Sequence, residues 1–340
     1  MPAWGGILKE IAELQKSDPA RALDLVRRKY ITSQYAHSKR ALILYASKWT
    51  QPSDGIPPDL ISVTDGDMQG FMEVIHGVAE TKLDLILHSP GGSIAAADAL
   101  VQYLRSKFDH IRVFIPHAAM SAATMIACAA DEIVMGKHSF LGPIDPQLIM
   151  QTSLGARMIP AQAILDQFDI AREECADPAR LAVWLPMLQQ YGPDLLVQCR
   201  NASQLSQELV RNWLAAYMLN KEPNPTAAAA SIAAWLADHR EFKSHSRYLN
   251  RDKLRDHGLK VLNLEDDQQQ QDFILSIFHA ATHTFTNSGA VKIIENHLGH
   301  AYVNQVQQVM VQAAPAPASI AAPIKREEPP FQKKKNNPWK

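Results

Sequence analysis

Three strand-length runs, LDLILH (83–88), IRVFIP (111–116) and DEIVM (131–135), are apolar almost throughout, and segments of helical period separate them. A strand with one wet face alternates polar and apolar residues, whereas a nearly continuous apolar strand is buried on both faces. Helices between such strands supply that cover, through right-handed crossovers. The pattern predicts an α/β chain with a mostly parallel sheet. ALILYAS (41–47) reads as a further strand and ISV (61–63) as a short one. Helices are expected over 67–79, 94–107 and 118–130, the last built of small residues.

Residues 1–50 hold helical spacing at Ile7, Ile11 and Leu14, a break at Asp18-Pro19, a second helix through Leu23 and Val26, and the first strand. QPSDGIPPD (51–59) reads as a loop. The core is expected over 51–160 and a helical insertion over 161–240, with Trp184, Trp213 and an alanine-rich stretch at 227–234. Residues 241–308 return to the core through HSRYLNRDKLRDHGLKV, and the glutamine run 268–271 opens a last helical stretch ending near Gln308. Residues 309–340 are rich in Ala, Pro and Lys without periodicity, which predicts a disordered basic tail.

With 340 residues, 46% of them hydrophobic, the chain has ample material for one large core. A formal net charge of -1 excludes a chain that gathers nucleic acid by its overall field. The charge is uneven: from Ala313 onward six Lys/Arg stand against two Asp/Glu. With Phe331 and Trp339 among those cations, the tail is either solvated or a contact for a separate partner. Cys128, Cys175 and Cys199 are too few and too scattered for a disulfide framework or a zinc site, so a reducing compartment is expected. The N-terminus lacks a basic segment followed by an apolar run, and no stretch of about 18 apolar residues occurs. A cytoplasmic protein without stable membrane insertion is the expectation.

Chemistry concentrates in LDLILHSPGGSIAAADAL and VFIPHAAMSAATMIACAADEIVM. Gly91 and Gly92 between a buried strand and a helix are either a tight turn or a way to turn amide N–H groups outward. At a helix N-terminus such donors suit developing negative charge, as in an oxyanion hole. Ser121 at the start of the next helix is either a cap or a nucleophile. One helix and one strand separate the two turns. They therefore fall at the C-terminal ends of parallel strands, the edge where ligands bind.

LILHSPGGS (85–93), AAMSAATMIA (118–127) and LGPIDPQ (141–147) resemble, in that order, the marks of the serine dehydrogenase proteinase family, relatives of the ClpP and SppA/NfeD-type peptidases. The resemblance covers roughly residues 25 to 300. It implies the ClpP/crotonase-like fold of stacked ββα units, peptide-bond hydrolysis at Ser121, an oxyanion hole from Gly91 and Gly92, a peptide or protein substrate and a homo-oligomer. It implies no cofactor and no metal. No GxxxxGK[ST] sequence occurs, so an unfolding motor would be a separate chain.

The general base departs from the ClpP pattern. Asp145 stands where that family places histidine. In KSHSRYLNRDKLRDHGL, Ser246 falls on the acid position, with His245 just before it. An exchanged triad follows: His245 as base, oriented by Asp145. A lysine base would fall near Gln162, and no lysine occurs between Lys137 and Lys221. Lys137, His138, His88 and His117 remain further candidates. Asp65 and Asp67, on the same edge, read as a helix cap, a carboxylate pair or a metal site. Two other functions compete: an inactive partner-binding scaffold, and an acyl-CoA enzyme of the crotonase fold, which does not need Ser121.

Overall fold

A computed structural model describes residues 4–52, 55–152 and 155–306. The expected tail lies outside the described residues. Two helices open the chain, α1 (Trp4–Gln15) and α2 (Ala22–Ser38), followed by β1 (Ala41–Ser47), α3 (Asp67–Ile75), β2 (Lys82–His88) and α4 (Ile94–Lys107). Then come β3 (His110–Ile115), β4 (Ala118–Ala119), α5 (Ala122–Cys128), β5 (Glu132–Met135) and β6 (Phe140–Leu141). A hairpin, β7 (Gln147–Thr152) and β8 (Gly155–Pro160), leads into α6 (Ala161–Glu174), α7 (Pro178–Leu188), α8 (Leu195–Ala216) and α9 (Pro225–Leu236). The chain closes with α10 (His239–Phe242), α11 (Arg251–Asp256), β9 (Val261–Asn263), α12 (Gln268–Asn287), β10 (Ala290–Asn296) and β11 (Ala301–Gln305).

The mixed α/β architecture has a mostly parallel sheet, as expected. Seven strands run in the order β11-β10-β1-β2-β3-β5-β9. β1, β2, β3, β5 and β9 are parallel, while β10 and β11 add antiparallel at one edge. Period-2 geometry explains the unbroken apolar runs. Leu83, Leu85, Leu87, Val113 and Ile115 face one core, with residues of α4, α5, α8 and α9. Ile86, Phe114 and Val134 face the other, with residues of α12. Both faces are covered, so most positions along these strands are apolar, and buried Asp84 is paired with Arg112 and Arg40.

Four local expectations change. ISV is not a strand: Val63 alone makes a parallel bridge, to Gly92. The helix expected from 118 starts at Ala122, because Ala118–Ala119 pair with Phe140–Leu141. The 147–160 hairpin was not legible. The last helix ends at Asn287, and the chain returns as β10 and β11 instead of running on to Gln308.

Candidate active site

β2 and β3 are parallel neighbours, so the turns that follow them leave the sheet at one edge. After β2, Ser89 takes up the Met120 amide at 3.0 Å, which ties the glycine turn to the serine turn. Gly91 and Gly92 then adopt φ of 92° and 153°. A Cβ on Gly91 would stand 2.7 Å from Ser121 Cβ and 2.9 Å from the Ala122 nitrogen, so only glycine permits this approach. Val63 flanks the outer side: its amide donates to Gly91 O at 2.7 Å, and its carbonyl accepts from Ser93 N at 2.9 Å. That bridge pattern turns the Gly92 amide away from Val63.

Ser121 has φ 51° and ψ -122°, a conformation that a residue with a side chain adopts only under constraint. Such backbone costs on the order of 1–3 kcal/mol and persists where its surroundings impose it. Here the surroundings are Gly91, the Met120–Ser89 bond and the buried alanines of α5. Ser121 does not cap α5, and its hydroxyl has no hydrogen-bond partner among the described residues. Three amides belong to the glycine turn and the start of α5. Gly91 N donates to Ser89 Oγ at 3.2 Å. Those of Gly92 and Ala122 have no acceptor among the described residues. Ala122 N is the first amide of α5, unpaired by helix geometry; sequence reading missed it, although any residue after a helix-start nucleophile has this property.

Asp145 and His245 meet as expected, with His245 Nδ1 2.8 Å from Asp145 Oδ1. A second imidazole was missed: His239 Nδ1 lies 2.9 Å from Asp145 Oδ2. The carboxylate is 2% exposed and each ring 17%. A carboxylate only accepts, so each Nδ1 carries the proton and each Nε2 is left as the basic nitrogen. Asp145 reaches this place because its segment is stitched on both sides. Thr124 Oγ1 of α5 accepts from Gly142 N at 3.0 Å and donates to Ala119 O at 2.8 Å. On the other side, Leu141 and Leu249 exchange backbone bonds and Ile144 N donates to Leu236 O. Neither imidazole hydrogen-bonds Ser121 directly.

The other candidates lie elsewhere. His88 is buried, with Nδ1 3.0 Å from Ala118 O and Nε2 3.2 Å from the Thr50 hydroxyl, and burial beside His117 pushes its pKa down to about 3. His117 and His138 line a separate cavity with His279, whose pKa burial depresses to about 4. Lys137 is exposed. Gln162 bonds Asp166 within α6, and Ser246 is exposed. Asp65 is exposed too, and Asp67 caps no helix terminus: it is a buried partner of Lys292. No group of three or more metal-ligating side chains is placed to hold an ion among the described residues. All three cysteines are free thiols.

Fold and site together are those of an α/β protein with a constrained serine opposite a glycine turn. Residues 60–179 match the family of ClpP-like SDH-type serine proteinases, as the sequence motifs led one to expect. Two uncharacterized proteins of Methanocaldococcus jannaschii are similar. One is 41% identical over 87 residues, 25% of this chain and 30% of that protein. The other is 37% identical over 122 residues, 36% of this chain and 39% of that protein. The chain thus spans well under half the length of either curated relative. Among solved structures, a mutant of the membrane-bound stomatin-specific protease 1510-N aligns at a TM-score of 0.36 and 13% identity, over 59% of this chain and 74% of that one. Among the described residues no helix is long and apolar enough to cross a membrane.

Proposed function

We propose that the protein is a serine peptidase that cleaves peptide bonds through an acyl-enzyme on Ser121. The observation that carries this reading is the Ser121 backbone: constrained, uncapped, and packed against a glycine turn whose Gly92 amide has no acceptor among the described residues. Ser121 Oγ attacks the scissile carbonyl carbon. His245 Nε2 takes the hydroxyl proton and passes it to the leaving amine, while Asp145 holds the ring by its Nδ1–H. The oxyanion is received by the amides of Gly92 and Ala122, and by that of Gly91 when it exchanges its bond to the Ser89 hydroxyl for the oxyanion. Water then attacks the acyl ester and regenerates the serine. His239, on the other oxygen of Asp145, fixes the carboxylate. No step calls on a cofactor. The substrate is a peptide or protein, and the assembly is a homo-oligomer in which α7, with Leu181, Val183 and Leu185 exposed, offers apolar contact surface.

Labelling with a fluorophosphonate probe tests the reading. Wild type should label and Ser121→Ala should not, with the same unfolding midpoint. His245→Ala should slow labelling by about 10²–10⁴-fold, and His239→Ala by less. Labelling of Ser121→Ala at the wild-type rate would refute the assignment. A folded wild type that takes no label would favour the scaffold reading, which rests on the absence of a direct Ser121–imidazole hydrogen bond.

A further inference from the structure

Lys292 is a charged residue in the middle of β10, and its side chain is 0% exposed. Its Nζ has two partners, Asp67 Oδ1 at 2.6 Å and the carbonyl of Ser62 at 2.6 Å. Asp67, itself 1% exposed, uses its other oxygen to accept from the Tyr45 hydroxyl at 2.7 Å and from the Thr64 amide at 2.9 Å. The network therefore grips the chain on either side of Val63, at Ser62 O and at Thr64 N. Val63 is the residue whose amide and carbonyl hold Gly91 and Ser93. There is little slack in that grip: a Cβ on Gly92 would stand 2.6 Å from the Val63 nitrogen.

We propose that Lys292, with Asp67 and Tyr45, is a positioning residue that sets the Gly92 amide against Ser121. The inference rests on the peptidase reading for its catalytic meaning, though not for its geometry. Burying an ammonium is costly unless it is paired and hydrogen-bonded. The desolvation that pushes Lys292 below the usual lysine range is opposed by Asp67. Replacing both members of a buried pair by neutral groups is often neutral for stability, whereas removing one leaves an uncompensated charge. Geometry and stability are thus separable in this network.

The test uses the double variant Lys292→Met/Asp67→Asn in the full chain. Its kcat on a peptide substrate should fall by about 10²-fold, the scale of a lost oxyanion donor, with KM unchanged. A peptide boronate, whose tetrahedral adduct places an oxygen in the same hole, should lose affinity by a similar factor. Independently of activity, hydrogen exchange at the Val63 and Ser93 amides, whose bonds tie Val63 to the glycine turn, should quicken when the pair is removed in a Ser121→Ala background. A folded double variant with wild-type kcat, or with unchanged Val63 and Ser93 exchange, overturns the proposal. If wild type proves inert to fluorophosphonate, the peptidase reading fails and the Val63 and Ser93 exchange alone decides the positioning role. Tyr45→Phe removes one hydroxyl and no charge, so it serves if the double variant does not fold. It should lower kcat several-fold at constant KM, and no change would overturn the role.

Discussion

At the residue scale, histidines in this protein fall into two electrostatic settings. His239 and His245 each keep a carboxylate partner, whereas His88 faces His117, Trp49, Phe278 and the Thr50 hydroxyl and has none. Burial therefore holds the His88 ring neutral down to about pH 3, against 6.5 for an exposed imidazole. Between those values the unfolded chain binds a proton that the folded chain refuses, so stability falls as pH drops from 6.5 toward 3. Each such histidine adds up to about 1.4 kcal/mol per pH unit to that slope, and His279 acts in the same direction. In His88→Asn the slope between pH 6.5 and 4.5, above the range where most carboxylates titrate, should be shallower by roughly one proton. Urea titrations across that window measure it; an unchanged slope would show that His88 is solvated. Motif alignment found His245. His239 escaped it because the sequence carries no sign that Asp145 has an oxygen to spare for a ring six residues earlier.

At the element scale, the Ser121 turn depends on where α5 begins. Helical period and small residues run unbroken through 118–130, and on that ground a helix from 118 is the natural expectation. Two interactions with distant chain prevent it: Ala118–Ala119 pair with Phe140–Leu141, and Met120 N is taken by Ser89 O. The strand ends, Ser121 is pushed to φ 51°, and the helix starts one residue later. The β2–α4 turn is equally specific. Gly91→Ala should destabilise the fold by about 2–4 kcal/mol, from the positive φ and the clash with Met120–Ala122 together. Denaturant unfolding would check it, and a loss under about 0.5 kcal/mol, the ordinary size for a surface change, would mean that the turn is loose. Gly92 meets Val63 in the same way, and a side chain there would have no room.

At the scale of the whole molecule, the C-terminal hairpin closes the sheet against β1 and brings three polar side chains inside. Lys292 pairs with Asp67, Asn296 donates to Val74 O, and Glu295 binds Arg27 of α2 across 268 residues of sequence, with Arg28 on its other oxygen. Arg27 and Glu295 are both almost inaccessible. Glu295→Ala would leave the buried Arg27 guanidinium with only the half-exposed Asp24 and the Thr284 hydroxyl, a loss of about 3–5 kcal/mol. The urea midpoint should drop accordingly, without loss of Ser121 labelling in the fraction that remains folded. A midpoint within experimental scatter of wild type would show that water reaches Arg27.

The parallel body of the sheet was written in the sequence, because a strand covered on both faces is apolar along most of its length whatever its neighbours are. So were the glycine turn and the serine at the edge of that sheet, because close approach and positive φ restrict residue type locally. The antiparallel strands were not. Lys, Glu and Asn inside AVKIIEN look solvated to any hydropathy reading, and their burial is tolerable only once Asp67, Arg27 and the Val74 carbonyl arrive from more than 200 residues away. The same holds for the two imidazoles on Asp145. Apolar burial is a property of each residue and shows in sequence. Charge compensation is a property of pairs, and the folded chain alone decides which charges meet.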